Sequence, residues 1–164
     1  MNTQLHIFTN GEYDENKLDD IYTINQDNVP AVGSLESIDR LKELISISSY
    51  HSVLLLHKNV IGFSICFREG TSYWSENYKY FAQGLKSFLY VDRIAIDHNF
   101  RRKGLGSSLY SDIFSKAKLE NLRVTAEVNT KPVNEVSLNF HSQMGFQQIG
   151  ERKFKNHDVA YLIK

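Results

Sequence analysis

The sequence predicts a mixed α/β domain, a central twisted sheet of about six to seven strands flanked by about four helices. Three observations carry that expectation. A strand, a basic glycine turn and an amphipathic helix follow one another over 87–119. Apolar runs of strand character alternate with helical stripes through the middle of the chain, and hairpins flank that middle. The 164 residues, 41% hydrophobic and 23% charged, have the length and make-up of one globular domain, 1–164.

Taken in order, Gln4–Phe8 alternates and reads as a first strand. Asp14–Ile24 places Leu18, Ile21 and Tyr22 on one helical face, with acidic residues at its start, where the helix dipole favours them. Asn25–Leu35 holds Asn28, Pro30 and Gly33 and reads as a loop. Ser37–Ser46 is a second helix, striped by Ile38, Leu41, Leu44 and Ile45, with Ser34 or Ser37 as its cap. Ser52–His57 and Val60–Arg68 form a hairpin around Lys58-Asn59. Glu69–Lys86 gives no clear period. Its Tyr73, Trp74, Tyr78, Tyr80 and Phe81 make an aromatic-rich connection, either a functional loop or an ordered one whose rings simply pack.

Phe88, Tyr90, Val91, Ile94 and Ile96 mark the strand at 87–96. Leu105, Leu109, Ile113 and Ala117 are four apart and share one face of a helix at 104–119. Leu122–Val128 is a further strand, and Lys131-Pro132 breaks the chain after it. Asn134–Gln143 reads as a short helix capped by Asn134 and ended by Gly145. Phe146–Phe154 and Val159–Ile163 are the last strands, with Lys155–Asp158 as their turn.

Composition narrows the function. The formal net charge is zero, which argues against nucleic acid and acidic membrane as partners. The single cysteine, Cys66, has no intrachain partner, as expected in a reducing compartment, and its apolar surroundings make it a core residue. No Cys/His cluster has metal-ligand spacing. The first residues lack the pattern of a signal peptide, and no apolar run approaches a membrane span. The expectation is a soluble cytoplasmic protein, monomer or homodimer, with no metal.

The chemistry begins at Arg101-Arg102-Lys103-Gly104-Leu105-Gly106. A glycine turn that opens a helix leaves backbone N–H groups free, and these favour an anion, as do three adjacent cations. The expected ligand is a phosphate or pyrophosphate. Only two of the three glycines of a Rossmann fingerprint are present, and Gly106 is followed by Ser107-Ser108 rather than by the Lys of a P-loop.

The spacing Arg101-x-x-Gly104-x-Gly106 resembles the acetyl-coenzyme A signature of the GNAT superfamily of N-acetyltransferases, Gln/Arg-x-x-Gly-x-Gly/Ala. Pro132–Phe146, PVNEVSLNFHSQMGF, resembles the downstream pattern of the same superfamily, Asn-x-x-Ala-x-x-x-Tyr-x-x-x-Gly-Phe. Asn134, Ser137, His141, Gly145 and Phe146 fall at those spacings, with Ser137 in place of Ala and His141 in place of Tyr. The resemblance extends over essentially the whole chain.

The resemblance implies a splayed strand whose Ile94, Ala95 and Ile96 offer main-chain groups to the pantetheine arm of acetyl-coenzyme A. It assigns the pyrophosphate to Arg101, Arg102, Lys103, Gly104, Leu105, Gly106 and Ser107, and the rest of the cofactor to Asn134 and Ser137. The reaction implied is direct attack of a primary amine, on a small molecule, amino acid or peptide, at the acetyl thioester. An amine must first lose its proton to a base. Asp92, which shares strand parity with Tyr90, Ile94 and Ile96, and Glu127, at the end of the neighbouring strand, are the candidates. His141 stands where the family places its proton donor. Asp92 and His141 are thus expected to be catalytic. Tyr73, Asn77, Tyr78 and Glu127 are expected to meet the acceptor, and Asn25–Asn28 are either acceptor contacts or turn formers. The alternatives are a catalytically inactive coenzyme A sensor of the same fold and a nucleotide-binding protein of another fold.

Overall fold

A computed structural model describes residues 5–164, so Gln4 lies outside the described residues. Seven strands and five helices are found among them. The strands are β1 (Leu5–Thr9), β2 (Tyr50–Leu56), β3 (Asn59–Arg68), β4 (Phe88–Ile96), β5 (Arg123–Lys131), β6 (Gln147–Lys153) and β7 (Asp158–Ile163). The helices are α1 (Glu15–Asp27), α2 (Ile38–Ile47), α3 (Glu76–Gly84), α4 (Leu105–Leu119) and α5 (Glu135–Gln143). All seven strands join one sheet in the order β1-β2-β3-β4-β5-β7-β6.

Local chemistry starts the helices. Asp14, Ser37, Ser75 and Asn134 each accept a backbone N–H of the first turn that follows. Two sequence-based expectations change. α1 continues to Asp27, so Asn25, Gln26 and Asp27 are its last turn and not a loop. Glu69–Lys86 contains α3, whose Tyr78 and Phe81 are buried. Aromatic residues are middling helix formers, which hid that helix, although Ser75-Glu76 and Gly84 mark its ends.

The sheet divides the core. Leu18, Ile21, Leu41, Leu44, Tyr78 and Phe81 of α1, α2 and α3 pack on one face, with Phe63, Phe88 and Tyr90. Tyr110, Ile113 and Ala117 of α4 pack on the other, with Val91, Ala126, Val128 and Phe146. Cys66 sits in this second cluster, fully buried, and burial pushes its thiol far up. Among the described residues no helix is long and apolar enough to cross a membrane, and no group of three His, Cys, Asp or Glu could hold a metal ion.

The site follows from one fault in the sheet. β4 and β5 are its parallel pair, and they run together for only three rows, ending at Tyr90 opposite Thr125. Beyond that row β5 stays with β7, from Thr125↔Ile163 to Lys131↔Asp158. β4 stays with β3 but carries a bulge: Cys66 faces Val91 and Ile65 faces Arg93, so Asp92 is the extra residue. The two strands diverge and leave a gap between Val91–Ile96 and Ala126–Lys131.

Candidate active site

The gap opens into a cleft of about 600 Å³. Val91–Ile94 of β4 and Ala126, Glu127 and Asn129 of β5 form its sides. The α1–α2 connection, residues 28–34, closes one end. Tyr73–Asn77, before and at the start of α3, lie above it, and Tyr110, Ser137 and His141 lie below.

Two carboxylates enter this cleft from the α3 face, and they differ. Asp92 is saturated. Its Oδ1 accepts from the Tyr73 hydroxyl at 2.8 Å and its Oδ2 from Arg93 Nε at 3.0 Å. Arg93 is itself buried and continues to Asn25 Oδ1, at 2.9 Å, and to the Gly33 carbonyl. This network ties the bulge to α1 and explains why Asn25 is fully buried. The bulge also alters the expected parity. Asp92 and Arg93 both point to the α1–α3 face, whereas Ile94 and Ile96 pack on the α4 side.

Glu127 is only half satisfied. Its Oε1 accepts from the Tyr90 hydroxyl at 2.9 Å and from Asn77 Nδ2 at 3.3 Å. Its Oε2 is sealed from solvent and has no hydrogen-bond partner among the described residues. A buried polar atom without a partner is costly; Tyr13 Oη and Thr125 Oγ1 share that state, but of the three residues only Glu127 lines the cleft. Burial, and then the negative charge of Asp92, push the Glu127 carboxyl up to about 8. Burial also raises Asp92, while Arg93 and Tyr73 act against that. Asp92, with a guanidinium beside it, is the anion of the pair, and Glu127 is the carboxyl that titrates near neutrality.

The opposite wall rests on α4 and α5. Gly104 is the α4 N-cap and has φ +74°, a left-handed conformation, and no side chain caps the helix. The first intrahelical bond runs from Ser108 N to Gly104 O, so the N–H groups of Leu105, Gly106 and Ser107 precede it. Free N–H groups at a helix start can take an anion, and Gly106 lets the turn pack closely on α5, since a Cβ there would stand 3.2 Å from the Phe140 ring. Arg101, Arg102 and Lys103 are exposed beside it. The Arg101 guanidinium donates to Asn28 Oδ1 at 2.8 Å, and the Lys103 ammonium lies over the Phe100 ring. What the turn can offer an anion is thus chiefly its backbone. Ile94 lines the cleft, and Ala95 and Ile96 continue along the splayed edge, where Asn28 Nδ2 reaches the Ile96 carbonyl at 3.3 Å.

On α5, Asn134 Oδ1 is committed to the Ser137 N–H as helix cap, and Asn134 lies outside the cleft lining. Ser137 and His141 line the cleft. His141 is buried, and burial lowers its basicity. Its Nδ1 is 2.8 Å from the Ser137 carbonyl, and its Nε2 is 2.6 Å from the Tyr110 hydroxyl. A carbonyl only accepts, so Nδ1 carries the proton of the neutral ring and Nε2 accepts from Tyr110. Both ring nitrogens of His141 are thus engaged within the wall.

Of the acceptor residues expected from sequence, Tyr73, Asn77 and Glu127 line the cleft. Tyr78 does not. It is buried in the α3 core, its hydroxyl donating to the Arg68 carbonyl at 2.7 Å and accepting from Thr71 N at 3.0 Å. Tyr110 was missed. It follows Leu109 in the buried stripe of α4 and reads as core, although a buried tyrosine hydroxyl seeks a partner.

The profile of the acetyltransferase (GNAT) family matches residues 18–146, a span that contains the anion turn, both carboxylates and His141. The chain belongs to the GNAT acetyltransferase family. Its class is accordingly that of acyl-group transferases with acetyl-coenzyme A as donor. The fold is similar to that of an N-acetyltransferase from Staphylococcus aureus Mu50, at 20% identity, TM-score 0.70 and 98% coverage of both chains. It is also similar to Arabidopsis thaliana NAA60 in complex with acetyl-CoA, at 10% identity, TM-score 0.73 and 98% coverage of both. A third similar structure is the Escherichia coli ribosomal-protein-S18-alanine N-acetyltransferase, at 14% identity and TM-score 0.69, with 98% of this chain and 92% of that chain covered. Against curated proteins the sequence finds no match.

Proposed function

We propose that this GNAT protein is an acetyl-coenzyme A-dependent N-acetyltransferase that acetylates a primary amine of a small molecule, amino acid or peptide by direct attack. The observation that carries the reading is Glu127 Oε2, a buried carboxylate oxygen without a hydrogen-bond partner among the described residues, on a residue that lines the cleft. Bound at that start and along the splayed edge of β4, acetyl-coenzyme A supplies an acetyl group activated as a thioester. Glu127 is the general base and takes the ammonium proton of the acceptor. Asp92, held by Arg93 and Tyr73, keeps Glu127 basic through its charge and takes no proton itself. This replaces the expectation that Asp92 is the base.

The pKa of Glu127 also bears on the acceptor. A base near 8 is matched to an α-ammonium group, whose ordinary pKa is about 7.7–8.0, and falls short of a lysine side chain at about 10.4. Amino acids and peptide N-termini are the acceptors this favours. The names of two similar structures, an S18-alanine N-acetyltransferase and a NatC complex bound to a Gag peptide and CoA, agree with that direction. A sensor that only holds coenzyme A has no use for an unpaired carboxylate oxygen in its cleft. We place the reaction in a single domain, in the cytoplasm, with no metal.

The test is coenzyme A thiol release with acetyl-coenzyme A and a panel of free amino acids, short peptides, polyamines and Nα-blocked lysine. Turnover of α-amines in preference to the blocked lysine is expected. No thiol release with any amine, while coenzyme A still binds, would leave the sensor reading in its place.

A further inference from the structure

We propose that Tyr110 delivers the proton to the departing sulfur and that His141 acts behind it, so that the donor on this wall is a two-residue relay. The inference rests on the acyl-transfer reading above. It starts from bond direction. With Nδ1–H fixed on the Ser137 carbonyl, the resting His141 takes the Tyr110 hydrogen on Nε2. One added proton on Nε2 reverses that bond. Nε2–H then donates to the Tyr110 oxygen, and the hydroxyl hydrogen of Tyr110 is free to turn into the cleft, which both residues line.

Acidity favours the relay over either residue alone. Burial holds the Tyr110 hydroxyl well above its usual range, so it is a poor acid by itself. Burial lowers His141, so its imidazolium is a stronger acid than a solvated one, but its two N–H groups point at Ser137 and Tyr110. In the step itself the C–S bond breaks and its electron pair goes to sulfur. Sulfur takes the Tyr110 proton, and Tyr110 takes the Nε2 proton of His141. His141 ends neutral with Nδ1–H in place. The amine gives up two protons in all: Glu127 takes the ammonium proton, and the second leaves nitrogen after the C–N bond forms and replaces the one that departs with sulfur. The titratable groups acting on the pair are Cys66 of β3, which stays a thiol, and Glu127 of β5. Phe114 of α4, Phe140 of α5 and Phe146 contribute only rings.

The experiment compares Tyr110→Phe, His141→Phe and the double variant in kcat, in coenzyme A affinity by titration and in Tm. A general acid contributes about 10²–10⁴-fold. Each single variant is expected to lose about a hundredfold in kcat, and the double variant no more than either, because one relay can be cut only once. Coenzyme A affinity stays within a fewfold. Wild-type turnover in Tyr110→Phe, or a double loss equal to the product of the single losses, overturns the relay. Independently of turnover, ¹⁵N NMR of wild-type His141 is expected to show a neutral Nδ1–H tautomer that becomes doubly protonated on acidification. A neutral Nε2–H tautomer overturns the relay even if the variants do not fold. Failure of every amine in the panel would instead refute the acyl-transfer reading.

Discussion

The two walls of the cleft meet at the same gap in the sheet but are held by different kinds of contact. The wall on α4 and α5 is mostly local, with the buried Tyr110–His141 bond across 31 residues as its exception. Gly104 to Ser108 spans four residues, Asn134 to Ser137 three, and Ser137 to His141 four. The wall on the α3 face is long-range. Glu127 is held by Tyr90, 37 residues away, and by Asn77, 50 away, while Arg93 reaches Asn25 across 68. What the first wall can offer an anion is backbone, which tolerates sequence change in its side chains. The second sets the ionisation of two carboxylates with buried side chains, each of which must be the right residue.

The comparison breaks most clearly at the two carboxylates. If Glu127 is the base, Glu127→Gln lowers kcat by at least about a hundredfold, the lower range for general base catalysis, and leaves coenzyme A affinity unchanged. If Asp92 acts on Glu127 only through its charge, Asp92→Asn lowers kcat less than Glu127→Gln does and lowers stability by about 3–5 kcal/mol, because Arg93 stays buried without its anion. Steady-state kinetics beside urea unfolding reads both variants. The reverse pattern, with Asp92→Asn inactive and Glu127→Gln active, would exchange their roles.

The difference between the walls also explains what the sequence could show. The anion turn, the strand before it and the helix after it were legible because a glycine spacing and a 3.6-residue stripe are local patterns. Four of the five helices and all seven strands were legible for the same reason. The choice between Asp92 and Glu127 was not. It depends on a bulge that turns Asp92 and Arg93 to the same face, and on which carboxylate finds partners for both oxygens. Neither is encoded in spacing along one strand. Tyr78 was misplaced by the same limit: a tyrosine in an unreadable segment reads equally as a cleft residue or as core.

A smaller effect sharpens the local wall. Gly104→Val puts a β-branched side chain at φ +74°, where nothing lies within 4 Å to clash, so the cost is backbone strain and a blocked approach to the N–H groups. Coenzyme A affinity is expected to fall about tenfold or more, since strain of roughly 1–2 kcal/mol relaxes by moving the turn. Arg101→Ala should cost less, its guanidinium being directed to Asn28. Calorimetric titration measures both. Equal losses would mean that the Arg101 cation holds the anion as firmly as the backbone does.

A further effect tests the state of Glu127 without any substrate. Its carboxyl is held at about 8 in the folded chain, against an ordinary value of 4.5. Between those values the folded chain keeps a proton that the unfolded chain has released. Stability from this group is therefore full below about pH 4.5 and is lost as pH rises through about 8, with a slope of at most about 1.4 kcal/mol per pH unit. Gln cannot titrate, so Glu127→Gln lacks this term while every other group contributes to both proteins alike. Urea unfolding at several pH values from 5 to 9 should show the variant gaining on the wild type up to about pH 8 and holding a constant lead above it. A difference that does not change with pH would mean that Glu127 ionises as a solvated carboxylate does. The long-range wall would then not be setting its charge, and the contrast between the two walls would be one of geometry alone.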